Sequence, residues 1–141
     1  MKKLFVLSMS ALFAGIVTSC NNNDEERDDT VKEVFSKKID SIRIPMDTMQ
    51  VGEIQQFRTY SQFSKNCEGL FDVNYIYEKD LSRTVVNYAY KINRNCSNEN
   101  YTSFGIVNFQ PKEKGIYNFK FYSGKDSNNV NTFIEKKVVV E

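Results

Sequence analysis

The segment Pro111-Lys112-Glu113-Lys114-Gly115-Ile116-Tyr117-Asn118-Phe119-Lys120-Phe121-Tyr122 carries the two signals that decide the fold. Its first five residues are bounded by Pro and Gly, which is typical of a turn. From Ile116 to Tyr122 the side chains then alternate with a period of two, which indicates a half-buried β-strand. The segment therefore predicts a strand that enters directly from a tight corner.

The same alternation recurs along the chain and predicts seven strands, at residues 39–44, 53–63, 70–78, 83–92, 101–110, 116–122 and 131–140. Residues 30–38 are ambiguous. Val31, Val34 and Phe35 have helical spacing, so this segment is either a short turn of helix or the end of the polar stretch before it. Strands at this spacing, joined by short polar turns, favour an all-β sandwich over βαβ units.

Two corners of the chain resemble those of Ig-like domains. The segment Gly115-Ile116-Tyr117-Asn118-Phe119 is similar to the corner that enters the sixth strand, where a Tyr hydroxyl bonds back across the corner. The segment Met49-Gln50-Val51-Gly52-Glu53-Ile54-Gln55-Gln56-Phe57 resembles the first turn of bacterial Ig-like domains. The resemblance implies one antiparallel Ig-like β-sandwich over residues 30–141. An antibody-type domain is disfavoured, because the chain has no Trp and Phe119 stands where that type has Cys.

Residues 1–19 predict a secretory signal peptide. Lys2 and Lys3 precede an apolar run over residues 4–17, which is shorter than the roughly 20 residues that a membrane-spanning helix needs. The run ends in Ile16-Val17-Thr18-Ser19-Cys20, which resembles the lipobox of bacterial lipoproteins. That resemblance implies that residues 1–19 are removed and that Cys20 carries acyl chains such as palmitate. The alternative is an ordinary cleaved signal peptide with an incidental Cys.

The segment after Cys20 predicts a solvated tether. Residues 21–29 contain five acids, one Arg and no apolar side chain, so they cannot bury enough surface to fold. The run also resembles the acidic export signal of surface-exposed lipoproteins in the Bacteroidota, which implies an outer-membrane protein that faces outside. The alternative is a plain spacer, which leaves a periplasmic position open.

Three short triplets resemble the O-glycosylation site of the same bacterial group. Each has Asp, then Ser or Thr, then an apolar residue, and they place the modified hydroxyl on Thr30, Ser41 and Thr48. The alternative is that these pairs only form turns, because Asp, Ser and Thr side chains bond nearby backbone amides.

Composition argues against several kinds of function. Residues 30–141 hold 16 basic and 13 acidic residues, a net charge of +3 without a basic stripe, so no nucleic-acid partner is predicted. The chain has no His, which removes the commonest general base and metal ligand. We therefore expect a non-catalytic protein without a cofactor or a metal site.

The two remaining cysteines, Cys67 and Cys96, form an even pair in an exported domain and predict one disulfide. The alternative is two buried free thiols.

A binding face is predicted on the hairpin of the third and fourth strands, which carries Tyr75, Tyr77, Tyr88 and Tyr90. Tyr provides rigid, amphipathic contact area and is frequent at binding surfaces. If these side chains point outward they could bind a glycan or a protein, and if inward they form core. A structural accessory subunit of an outer-membrane complex is the alternative function.

Overall fold

The computed structural model describes residues 30–141, which form nine β-strands in two sheets. All-β architecture is confirmed, as a two-sheet sandwich. The signal peptide, Cys20 and the acidic tether lie outside the described residues. The strands are β1 (Val31–Lys37), β2 (Ser41–Arg43), β3 (Thr48–Met49), β4 (Gln55–Lys65), β5 (Glu68–Tyr77), β6 (Ser82–Ile92), β7 (Asn98–Phe109), β8 (Gly115–Lys125) and β9 (Asn131–Val140).

Strand β6 organises the six-stranded sheet. Along one side it pairs with β5, and along the other it pairs first with β8 and then with β1. The sheet continues from β8 through β9 to β3. The second sheet has three strands in the order β2-β4-β7.

All seven predicted strands are present, and the structure adds two. Strand β1 occupies the ambiguous segment, where a bulge between Val31 and Glu33 shifts the pairing with β6. Because a bulge interrupts the two-residue period, the apolar spacing looks helical in the sequence. Strand β3 has only two residues, paired in parallel with Val139 and Val140, and is too short to show a period.

The Ig resemblance implied a sandwich that is antiparallel throughout, but the structure contains two pairs of parallel strands. Strands β6 and β8 are parallel neighbours, and so are β3 and β9. Strands β5 and β6 form a hairpin in one sheet, while β7 lies in the other sheet. The chain therefore leaves the six-stranded sheet after β6 and returns to it running in the same direction, which makes β8 a parallel neighbour.

The two predicted corners have the expected geometry. The Tyr117 hydroxyl donates a 3.1 Å hydrogen bond to the carbonyl oxygen of Glu113, back across the corner that enters β8. At the other corner, the Glu53 amide donates to the Gln50 carbonyl, and Gly52 has a φ of 84°. A positive φ at the third residue is the requirement of a type II turn, which Gly meets without steric strain.

Aromatic side chains fill the core between the sheets. The ring centroid of Phe57 lies 4.9 Å from Phe119 and 5.6 Å from Phe109, and that of Phe109 lies 4.9 Å from Tyr117. All four side chains are buried. Complete burial of such a side chain stabilises the fold by roughly 1.5–3 kcal/mol.

A buried polar network also joins the two sheets. Thr59 of β4 donates a 2.8 Å hydrogen bond to the Asn87 side-chain oxygen of β6, and Asn87 donates a 3.0 Å bond to Ser61. Ser61 in turn donates to the Lys38 carbonyl at 2.7 Å. Thr59, Ser61 and Asn87 have no exposed surface. Because each bond satisfies a group that water cannot reach, the network fixes how the sheets align.

Candidate functional site

The four tyrosines of the β5–β6 hairpin do not share one face. In the β5–β6 register, Tyr75 lies opposite Val85 and Tyr77 opposite Arg83, on the side that faces the core. Tyr88 and Tyr90 have the opposite parity on β6 and lie on the outer side of the sheet. The predicted four-tyrosine binding face is therefore two separate pairs, because β6 packs the smaller residues Val85, Asn87 and Ala89 inward.

Tyr75 and Tyr77 surround a buried cation at the end of the sandwich. The Arg83 guanidinium carbon lies 4.6 Å from the Tyr77 ring centroid and 5.2 Å from that of Tyr117, and Arg83 is only 9% exposed. Its Nη1 donates a 2.7 Å bond to the Ser82 carbonyl oxygen. Burial raises the pKa of the Tyr75 hydroxyl to about 12, against the opposing charge of Arg83. Tyr77, 70% exposed, covers the arginine, so this cluster packs the end of the sandwich.

Tyr88 and Tyr90 are half-buried on the outer side of β6 between β1 and β5. The Tyr90 ring lies over Gly69, where an added Cβ would stand 2.7 Å from the ring. On the neighbouring strand Phe71 is 58% exposed, because a bulge between Leu70 and Asp72 turns it out of the predicted alternation. This side therefore offers scattered apolar contacts and no aromatic platform.

A more continuous surface lies on the outer side of the three-stranded sheet. The register aligns Arg43 of β2, Arg58 of β4 and Ile106 of β7 in one row, with Tyr60 opposite Phe104 in the next. Phe104 is 47% and Ile106 45% exposed. We call the surface formed by Arg43, Arg58, Tyr60, Phe104 and Ile106 the three-stranded outer face.

The side chains of this face contact one another. The Tyr60 and Phe104 ring centroids are 6.1 Å apart, and the Arg58 guanidinium carbon lies 5.2 Å from the Phe104 centroid. A guanidinium stacked on an aromatic ring keeps its N–H edge free for an acceptor. The face thus combines apolar area with oriented hydrogen-bond donors.

The two arginines of this face form no ion pair within residues 30–141. Strands β2 and β4 contain no acidic residue, and the one acid of β7, Glu99, has inward parity. Within residues 30–141, neither Arg43 nor Arg58 has a carboxylate within salt-bridge distance. Asp40, just before β2, is engaged by Lys38 at 2.8 Å. Burial opposes ionisation of Asp40, but bonds from Lys38 and the Gln62 amide outweigh it and lower its pKa.

A cavity of about 360 Å³ opens where β2 ends, next to the two arginines. Pro45, Met46 and Ile54 form its apolar wall. The buried Gln55 side chain holds this wall in place, because its amide accepts from the Met46 backbone N–H at 2.9 Å and donates to the Met46 carbonyl at 3.1 Å. The cavity lies at the lower end of the size range of small-molecule sites.

The three predicted O-glycosylation residues are exposed in the structure: Thr30 before β1, Ser41 on β2 and Thr48 on β3. Ser41 pairs with Tyr60 and therefore borders the three-stranded outer face. Exposure is a requirement for modification, and the modification itself stays a prediction.

The predicted disulfide between Cys67 and Cys96 is present, with 5.3 Å between the two Cα atoms. Cys67 is fully buried between β4 and β5, whereas Cys96 lies in the exposed β6–β7 loop. The Asn66 amide also bonds the Ser97 carbonyl at 3.2 Å. The bridge thus joins two chain connections at one end of the sandwich.

No three His, Cys, Asp or Glu side chains within residues 30–141 are grouped to hold a metal ion. The same residues include no helix that is long and apolar enough to cross a membrane. The absence of catalytic activity stays a prediction.

The three-stranded outer face was missed by sequence reasoning, although β7 carried a signal for it. Phe104 and Ile106 have one parity in that strand and Val107 and Phe109 the other. Apolar residues at both parities indicate two apolar faces, of which the core covers only one. The contribution of Arg43 had no local signal, because it depends on the pairing of β2 with β4.

Comparison of the chain with protein-family models, with curated proteins and with solved structures finds no match.

Proposed function

We propose that this protein is a non-catalytic lipoprotein of the cell envelope that binds glycans through the three-stranded outer face. The observation that carries the proposal is the exposed pair of Phe104 and Ile106 on β7 beside two arginines that form no ion pair within residues 30–141. Contiguous exposed apolar side chains that are rimmed by polar groups are typical of binding surfaces. Exposed rings and aliphatic side chains can pack on the C–H faces of sugars, while arginine donates to their oxygens.

The position of this surface supports a ligand outside the membrane. Thr30 lies at the disulfide end of the sandwich, where its carbonyl accepts from the Asn93 amide at 2.9 Å. The cavity lies beside Gln55, at the other end of β4. Since β4 has 11 residues, these ends are separated by roughly 35 Å. The cavity therefore lies at the opposite end of the domain from Thr30, the residue that follows the predicted tether.

The binding test uses the purified full chain in a mild detergent and a panel of neutral and acidic polysaccharides. We expect Phe104→Ala to weaken binding of the best ligand about tenfold, because an aromatic contact is worth on the order of 1 kcal/mol or more. Tyr88→Ala is the matched control, since it removes an aromatic ring from the other sheet. Loss with Tyr88→Ala and none with Phe104→Ala would instead place binding on the β5–β6 hairpin.

The anchoring test is separate from the binding test. We expect radiolabelled palmitate to enter the wild-type chain and not Cys20→Ala, because the lipobox cysteine is the predicted acyl acceptor. Protease added to intact cells should then digest the domain. Labelling of the Ala variant would refute the anchor, and protection until lysis would place the domain in the periplasm.

A structural accessory role is favoured by a different surface, the free edge of β5. Among the strands of residues 30–141 it pairs only with β6, and beside its edge Phe71 and Ile76 are 58% and 40% exposed. Unpaired sheet edges with apolar side chains bind other chains readily. This alternative predicts co-purification with an outer-membrane protein that is lost in Phe71→Glu and kept in Phe104→Ala.

A further inference from the structure

We propose that the ligand of the three-stranded outer face is an acidic polysaccharide, and that Arg43 and Arg58 bind the carboxylate of a hexuronic acid unit. This inference rests on the proposed glycan-binding function and adds the chemical class of the ligand. Three features of the same face support this inference. They are the arginine pair, the cavity beside the arginines, and the exposed apolar side chains of Phe104 and Ile106.

The arginine pair points to an anion. Arg43 and Arg58 are directly opposite each other on antiparallel strands, an arrangement in which like charges destabilise a sheet. Within residues 30–141 neither arginine has a carboxylate within salt-bridge distance, and Asp47, which lines a second cavity with Arg43, forms no ion pair with it. An incoming carboxylate would relieve the repulsion and accept hydrogen bonds from both guanidinium groups.

The cavity points to a rigid ring. The cavity has a volume of about 360 Å³ and is lined by the two arginines. Pro45, Met46 and Ile54 form its apolar wall. A hexuronic acid has a carboxylate fixed to a ring whose C–H face is apolar, so one unit contacts both parts of the site. An Asp or Glu side chain offers the carboxylate on a flexible stem and has no apolar body to fill the cavity. Binding such a peptide would also require more conformational ordering.

The apolar wall and the Arg58 guanidinium are held in place before a ligand arrives. The Gln55 amide makes two hydrogen bonds to the Met46 backbone and a third to the Met49 sulfur, and Gln55 is only 4% exposed. Phe104 supports the Arg58 guanidinium from below at 5.2 Å. Neither part has to reorganise to bind, which preserves affinity that a mobile site would lose.

The test titrates the full chain, in a mild detergent at low salt, with three probes. These are polygalacturonate, fully methyl-esterified polygalacturonate and poly-L-glutamate. The first two share one backbone and differ only in the free carboxylate. We expect polygalacturonate to bind at least tenfold more tightly than either other probe, and less tightly as salt screens the charges.

The variants assign the binding to the arginines. We expect Arg43→Gln and Arg58→Gln each to weaken polygalacturonate binding about tenfold or more, because each removes charged hydrogen bonds. Arg58→Lys keeps the charge but not the planar fork, so we expect a smaller loss. Lys125 is the last residue of β8, in the other sheet. Lys125→Gln removes the same charge and should change binding less than twofold. Thermal unfolding of each variant checks that it folds.

Each other outcome overturns a defined part of the reasoning. Tighter binding of poly-L-glutamate would replace the uronate with an acidic peptide. Equal binding of the esterified polymer, lost in Phe104→Ala and kept in both Gln variants, would refute this inference and leave the glycan-binding function intact. An absence of binding across the neutral and acidic panel would overturn both.

Discussion

The buried hydrogen bond between Thr59 and Asn87 gives the sharpest prediction about stability. We would replace Thr59 with Val, Asn87 with Leu, and then both residues together. Each substitution keeps a side chain of similar bulk between the sheets while it removes one partner of the 2.8 Å bond. Ser61 keeps its own bond to the Lys38 carbonyl in all three variants, so its hydroxyl hydrogen retains an acceptor.

The magnitudes follow from which groups stay buried without a partner. Thr59→Val leaves the Asn87 oxygen without a donor, and Asn87→Leu leaves the Thr59 hydroxyl without its acceptor. Both sites have no exposed surface, so each single change should lower the free energy of unfolding by about 1–3 kcal/mol. In the double variant neither of the two unsatisfied groups remains. Its loss should therefore fall below the sum of the single losses by about 1–2 kcal/mol.

The assay is urea denaturation followed by far-ultraviolet circular dichroism, because the chain contains no Trp. The exposed bond between Gln56 and Asn108, at 3.1 Å across β4 and β7, provides the control cycle. Alanine at those two positions should show additive losses, since water replaces the bond. Additivity within about 0.5 kcal/mol in the Thr59–Asn87 cycle would refute the argument that the network is stabilised by mutual satisfaction.

Three further predictions concern the disulfide, a close contact and a buried hydroxyl. Replacing Cys67 and Cys96 with Ser should lower the free energy of unfolding by about 3–4 kcal/mol, because the bridge closes a loop with a sequence separation of 29. A loss below about 1 kcal/mol in urea denaturation would contradict the loop-closure account. Gly105→Ala should cost about 1–3 kcal/mol by overpacking, since its Cβ would stand 2.1 Å from Val73 Cγ2, and Val73→Ala should rescue part of that loss in the same assay. Burial raises the folded-state pKa of Tyr75 to about 12 from 10.0, so its contribution to stability is complete below pH 10 and is lost as the pH rises toward 12. The urea midpoint should therefore decrease less between pH 9 and pH 11 in Tyr75→Phe than in wild type, and equal decreases would refute the pKa shift.

Much of the fold follows from local sequence pattern. Alternation places Phe57 and Phe63 on one side of β4 and Arg58 and Tyr60 on the other, and only the first side is buried. The corner at Tyr117 could be predicted because its bond is to a residue four positions earlier. The disulfide needed only a count of cysteines. These features depend on near neighbours or on composition.

What could not be predicted depends on pairing between distant strands. Alternation groups Tyr88 with Tyr90, but the choice of outer side depends on what packs against β6. The row of Arg43, Arg58 and Ile106 requires the registers of both β2–β4 and β4–β7. Strand β1 could not be predicted because a bulge near Val31 interrupts the two-residue alternation of the strand. In each case the deciding contact is made by residues far away in the chain.

The strand pairings that close the sandwich also constrain when it can fold. Strand β1 pairs with β6, and β3 pairs with β9 through bonds such as that from the Val139 amide to the Asp47 carbonyl, at 2.7 Å. Strands β1 and β3 therefore cannot pair until β6 and β9, which come much later in the chain, have been synthesised. Contacts between such distant residues slow folding. A nascent chain of this topology therefore cannot complete its sandwich until β9, the last strand, has been synthesised.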